Sequence, residues 1–216
     1  QGSAEADWYS ATVDLLDLAS GEVRTIFRPE HQLGWLSAAP GGEHLAVVEG
    51  PCSDRTICAG RLRIIKLSDC SIRTPNAFGA DITWAEWRED ASVHVAGRRR
   101  FSAVCGDIDP RTGAETLIYE AVNSHLGAMN KYYPSSRPLP NGRAVAVLEG
   151  FTSPPKLCVL GGGDALAVAS AYAPGASELT DEIGEARPYT WLAPDGLEID
   201  GWLVTPESEG PFPMLM

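Results

Sequence analysis

Two carboxylates stand at matching places in the chain. Glu49 closes the run Ala46-Val47-Val48-Glu49-Gly50, and Glu149 closes Ala146-Val147-Leu148-Glu149-Gly150. An ionised carboxylate offers only acceptor oxygens, so in a partly desolvated cleft it is suited to holding an ammonium. The plainer reading is that each Glu is a solvated gatekeeper or caps the turn that follows its strand. A third candidate is Arg55, in the Ser53-Asp54-Arg55 segment of the polar loop from Gly50 to Gly60. Its planar fork suits a ligand carboxylate or carbonyl, whereas an Asp-Arg pair in such a loop also serves to hold the loop together. The basic run Arg98-Arg99-Arg100 reads as a solvated turn.

No catalytic constellation assembles around these residues. There is no G-x-S-x-G segment, and His31, His44, His94 and His125 are scattered without a nearby nucleophile motif, so each is expected to be a strand or turn histidine. Gly161-Gly162-Gly163-Asp164 lacks the Lys-Ser/Thr and the following helix that a phosphate cradle needs, and fits a tight turn. No cofactor is therefore expected. The five cysteines, Cys52, Cys58, Cys70, Cys105 and Cys158, include no C-x-x-C pair, which argues against a zinc site or a disulfide framework. Free thiols and a cytoplasmic location are expected; Cys52 and Cys58 are near enough to be bridged in an oxidising compartment. No charged-then-apolar leader precedes the first strand, and Gln1-Gly2-Ser3-Ala4 leaves open an export signal already removed.

The elements that would position such residues are strands. Composition is that of an ordinary globular protein, 44% hydrophobic and 21% charged. A net charge of -12 argues against a nucleic-acid partner, and no apolar run is long enough to span a bilayer. From the front, Ala11–Leu18, the turn Ala19-Ser20-Gly21-Glu22 and Val23–Phe27 form a hairpin; Leu33–Leu36, the turn Pro40-Gly41-Gly42 and His44–Val48 follow. The same order returns twice. Arg61–Leu67, Ile82–Trp87 and Val93–Gly97 make a second unit; Phe101–Asp109, Thr116–Tyr119 and Ala144–Gly150 make a third. A fourth starts at Pro155–Leu160 and is expected to finish near Leu179-Thr180. The turns Gly41-Gly42, Glu89-Asp90 and Asn141-Gly142 fall roughly 50 residues apart, a repeat period, and no helical period is convincing.

Units of four short antiparallel strands describe the blades of a β-propeller. The predicted fold is all-β, a partial β-propeller of about four blades over residues 1–186. Stacked blades are apolar on both faces, and Trp35, Trp84 or Trp87, and Tyr132 or Tyr133, are expected between them. Within this frame Glu49 and Glu149 would sit at equivalent heights on different blades.

The last thirty residues depart from the repeat. Tyr189 and Trp191, then Ile199, Trp202 and Val204, flank the turn Pro194-Asp195-Gly196 and read as a hairpin of half-buried strands; Phe212-Pro213-Met214-Leu215-Met216 follows as a short apolar run. Trp191, the segment from Pro194 to Pro206, and Pro211–Met216 together resemble the start of the hydrolase domain in the prolyl oligopeptidase family, with the acylaminoacyl-peptidase-like and dipeptidyl-aminopeptidase-like branches nearest. Val48–Arg55 with Ala59-Gly60, and Val95–Arg99 before Cys105-Gly106, extend the resemblance into the repeats.

The resemblance implies a serine peptidase whose propeller gates access of short peptides. Residues 187–216 would then be the first strands of an α/β-hydrolase domain, with its oxyanion segment and catalytic triad in sequence not contained here. Some members use propeller carboxylates to hold a peptide's free amino terminus, a role that would fall on Glu49 or Glu149. The implied partners are a short peptide substrate and the remainder of the hydrolase domain, with a homo-oligomer also possible. The alternative from another class is a stand-alone propeller that binds a protein or peptide without catalysis.

Overall fold

The computed structural model describes residues 9–51, 58–127, 134–176, 178 and 183–213. Arg55, Cys52, Tyr132, Tyr133, Leu179, Thr180 and Met214–Met216 lie outside the described residues. The architecture is all-β. β1 (Val13–Leu16) and β2 (Val23–Phe27) form a hairpin by themselves. β3 (Gln32–Ala38), β4 (His44–Gly50), β5 (Arg61–Lys66) and β6 (Ile72–Arg73) form the first complete four-stranded sheet. β7 (Asp81–Trp87), β8 (Val93–Arg99), β9 (Ser102–Ile108) and β10 (Glu115–Val122) form the second.

In the third sheet the inner strand is split. β11 (His125–Leu126) and β12 (Arg137–Leu139) both pair with β13 (Arg143–Gly150), which leads to β14 (Ser153–Gly161) and β15 (Asp164–Ser170). β16 (Glu185–Leu192) and β17 (Glu198–Thr205) close the described chain as a separate hairpin, with Trp191 opposite Ile199. Every strand pair is antiparallel. Among the described residues helix is confined to a 3-10 turn at Ala77–Gly79 and to positions 176 and 178.

The blade phase differs from the sequence expectation by two strands. The units counted from Ala11 place β1 to β4 together, but β2 does not pair with β3; each complete sheet begins with the strand carrying Trp35, Trp84 or His125. Strands that pair within a sheet are antiparallel, and a periodic string of strand signals has the same period in either phase, so the pattern does not mark where one sheet ends and the next begins.

Alternation along the strands shows why the sheets stack. Leu45 and Val47 of β4 point into one apolar cluster with Val13, Ile26, Phe27 and Ile65. Ala46 and Val48, their neighbours, point into another with Leu62, Ile64, Ile82, Val93, Val95, Val104 and Ile108. A third cluster joins Ala96, Ala103, Cys105 and Ile118 to Leu126, Ala144, Ala146 and Leu160. Period-2 strands with both faces apolar need a neighbour on each side, which is the stacking of propeller blades. β15 shows the converse: its residues are exposed, with Leu166 at 69%.

The tryptophans divide between two places. Trp87 is buried between the first two complete sheets, and its indole N–H donates to the Ser37 carbonyl at 3.0 Å. Trp35 and Trp84 instead stack on the adjoining inner strands β3 and β7, centroids 3.8 Å apart, with Arg137 over the Trp84 ring.

Candidate functional site

The two glutamates have matching backbone places and different surroundings. Glu49 pairs across the ladder with Leu33, and Glu149 with His125. Glu49 is 2% exposed. One of its oxygens accepts from the backbone N–H groups of Glu30 and His31; the other takes Nε of Arg63 at 2.6 Å. Burial opposes ionisation of this carboxyl. The hydrogen bonds from His31, Arg63 and Glu30 outweigh that and hold it below the usual carboxylate range. Glu49 thus ties the β2–β3 connection to β5, and both oxygens are occupied from within the chain.

Glu149 lies in a cleft of about 310 Å³ bordered by Arg98, His125, Phe151 and Trp202. It has no side-chain hydrogen bond or ion pair among the described residues. The cleft is built by two local devices. Gly150 approaches the linker before β11 so closely that a Cβ would run into the Asn123 carbonyl oxygen, and Asn123 Oδ1 accepts from the Phe151 N–H at 3.0 Å. Together they hold His125 against the end of β13. From the neighbouring blade, Arg98 near the end of β8 donates through Nη2 to His125 Nδ1 at 2.8 Å. Arg98 is partly buried and faces no carboxylate within ion-pair distance among the described residues. Burial pulls its guanidinium below the usual arginine range, yet arginine stays a cation throughout the working pH range.

The fourth wall comes from the terminal hairpin. The Trp202 ring sits between Phe101, edge-on at 5.3 Å, and Phe151, tilted at 5.2 Å. Beside it Arg100 reaches Asp200 through Nε at 2.9 Å and Nη2 at 2.7 Å, and Glu198 at 2.6 Å. Asp200, whose carboxyl is held below the usual range by Arg100 and then Thr190, in turn raises the Arg100 guanidinium further. The run read as a solvated turn therefore has three separate tasks. Arg98 faces the cleft, Arg99 binds Glu120 and the Phe78 carbonyl, and Arg100 seats the hairpin.

A Ser-His-Asp arrangement is present that the linear sequence does not announce. His94 Nδ1 lies 2.9 Å from Asp107 Oδ1, and His94 Nε2 lies 2.8 Å from Ser136 Oγ. The register of the β8–β9 hairpin puts His94 opposite Asp107; Ser136 arrives from 42 residues away. His94 is 0% and Ser136 3% exposed, so no substrate reaches the hydroxyl, and the network acts as a polar lock between blades. Arg88 completes it, with Nε 2.8 Å from Asp107. Next to it burial pushes the Cys105 thiol up to about 12, and Cys70, Cys105 and Cys158 are free thiols.

Comparison with known proteins bears on the fold. No family model and no curated protein sequence matches the chain. Among solved structures it is similar to AtxE2 isopeptidase, an S527A variant with astexin3-dC4 bound, at TM-score 0.58 and 15% identity, over 91% of this chain and 30% of that one. It is also similar to an oligogalacturonate lyase in complex with manganese, at TM-score 0.51 and 19% identity, over 88% of this chain and 53% of that one. The chain spans about a third to a half of the length of these structures. At such identities the likeness is one of fold, and the chain is a partial propeller of stacked four-stranded sheets.

Proposed function

We propose that the chain is the non-catalytic propeller portion of a serine peptidase of the prolyl oligopeptidase kind, and that its terminal hairpin begins the hydrolase domain. The observation that carries this reading is the seating of β16–β17. The segment carrying the resemblance, Pro194 to Pro206, does not join a four-stranded sheet; it docks through Asp200, Glu198 and Trp202 onto the β8–β9 and β13–β14 turns. A polypeptide leaving the propeller for a second domain would cross the blade turns in this way. One solved structure that shares the fold is an isopeptidase with astexin3-dC4 bound, which supports a peptidase reading.

In this reading Glu149, beside the hairpin, receives the amino terminus of a short peptide, because its acceptor oxygens are unclaimed among the described residues. Glu49, with both oxygens engaged, serves the blade. The attacking serine, its histidine base and the oxyanion donors would come from the hydrolase domain, and the propeller would limit which peptides arrive.

Labelling with a fluorophosphonate tests the reading. The full gene product should be labelled at a single serine, and residues 1–216 alone should not. A full product that remains unlabelled while binding peptides would place the chain among non-enzymatic propellers.

A further inference from the structure

We infer that the cleft between Arg98 and Glu149 binds both charged ends of a small zwitterion, with Arg98 receiving a carboxylate while Glu149 receives the ammonium. The inference rests on the reading of the cleft as a peptide site and adds its second half. Three observations carry it. Arg98 and Glu149 border one cleft, yet they form no ion pair with each other, and neither has an oppositely charged partner among the described residues. A partly buried guanidinium without a carboxylate is costly unless an anion completes it.

The second observation is the anchoring of Arg98. Of its five donors, the contact to His125 Nδ1 uses one, on Nη2. That bond holds the guanidinium in place while the remaining N–H groups are open to a planar, two-oxygen acceptor. The third is size and lining. A cleft of about 310 Å³ lies at the lower end of the range for small-molecule sites, and Phe151 and Trp202 give it an aromatic side. A ligand that fits this volume and carries both charges is a free dipeptide or a similarly short peptide with an apolar side chain.

Calorimetric titration of the intact 216-residue chain with three probes tests this: Ala-Phe, its carboxamide, and its N-acetyl form. Ala-Phe should bind, and the carboxamide should bind at least about tenfold more weakly, since a charge-assisted bidentate contact is lost. Arg98→Gln should bind Ala-Phe and its carboxamide equally and keep its preference against the acetylated form. Arg98→Lys should recover part of the preference for the free acid. Because the acid-against-amide comparison uses the unaltered protein, it stands whether or not the variants fold. Equal binding of acid and amide, with the acetylated form weaker, would overturn the carboxylate assignment while leaving the ammonium site at Glu149 intact. Absence of binding by all three probes at about 10 mM would overturn both.

Discussion

Replacing Glu49 by alanine gives the sharpest separation between a ligand-binding and a structural carboxylate. The substitution strips three donors of their acceptor: the N–H groups of Glu30 and His31, and Nε of Arg63, whose side chain is 16% exposed. Removing one partner of a buried ion pair costs about 3–5 kcal/mol. A chain of this length loses about 2–4 °C in Tm per kcal/mol, so Glu49→Ala should melt roughly 6–20 °C lower by calorimetry or circular dichroism at pH 7. Glu149→Gln, at the matching backbone place but without a side-chain partner among the described residues, should stay within about 2 °C.

The pH dependence has a fixed sign. The folded carboxyl of Glu49 titrates below its unfolded value, so its contribution is complete above roughly pH 4.3 and is lost as pH falls through the folded value. The gap in Tm between the parent and Glu49→Ala should therefore be level from pH 7 to about pH 5 and narrow below that. A difference under about 2 °C at pH 7, or a gap that widens on acidification, would refute the assignment of Glu49 to the blade.

Further expectations follow from the other polar contacts. His94→Ala leaves Asp107 and Ser136 without their shared partner in the interior; the urea midpoint should fall by an amount equivalent to about 2–5 kcal/mol, with unchanged slope. Cys105, buried and titrating near 12, should resist maleimide at pH 8 in the native protein and react fully in guanidinium, as read by peptide mass mapping. Arg100→Ala should speed amide hydrogen exchange in Glu198–Thr205 while leaving exchange in Val93–Arg99 unchanged, and raised salt should act on the parent in the same direction.

Much of the fold is legible in the residues. Leu45-Ala46-Val47-Val48 and Val93-His94-Val95-Ala96 put apolar groups on both faces of one strand, and such strands must lie between two sheets. The turn residues set the spacing, with Gly42, Gly142 and Gly196 at positive φ where hairpins require it. Strand existence, antiparallel order and the terminal hairpin thus follow from local chemistry, because each depends on residues within about ten positions of one another, and the period follows from the recurrence of the same turn signals.

What tertiary structure alone decided involves long separations. Whether β2 turns into β3 within a sheet or across to the next is a matter of packing, since the linking turn reads the same either way. Likewise the run Val48-Glu49-Gly50 matches Leu148-Glu149-Gly150 in type, but an Arg63 on the adjoining strand neutralises one carboxylate, while His125 opposite the other accepts from Arg98, which has no ion-pair partner among the described residues. Trp202 meets Phe101 and Phe151 across 101 and 51 residues, and Ser136 meets His94 across 42. Sequence patterning records which side chains face inward; it carries no term for which distant blade supplies the partner, and a charged residue's role depends on that partner.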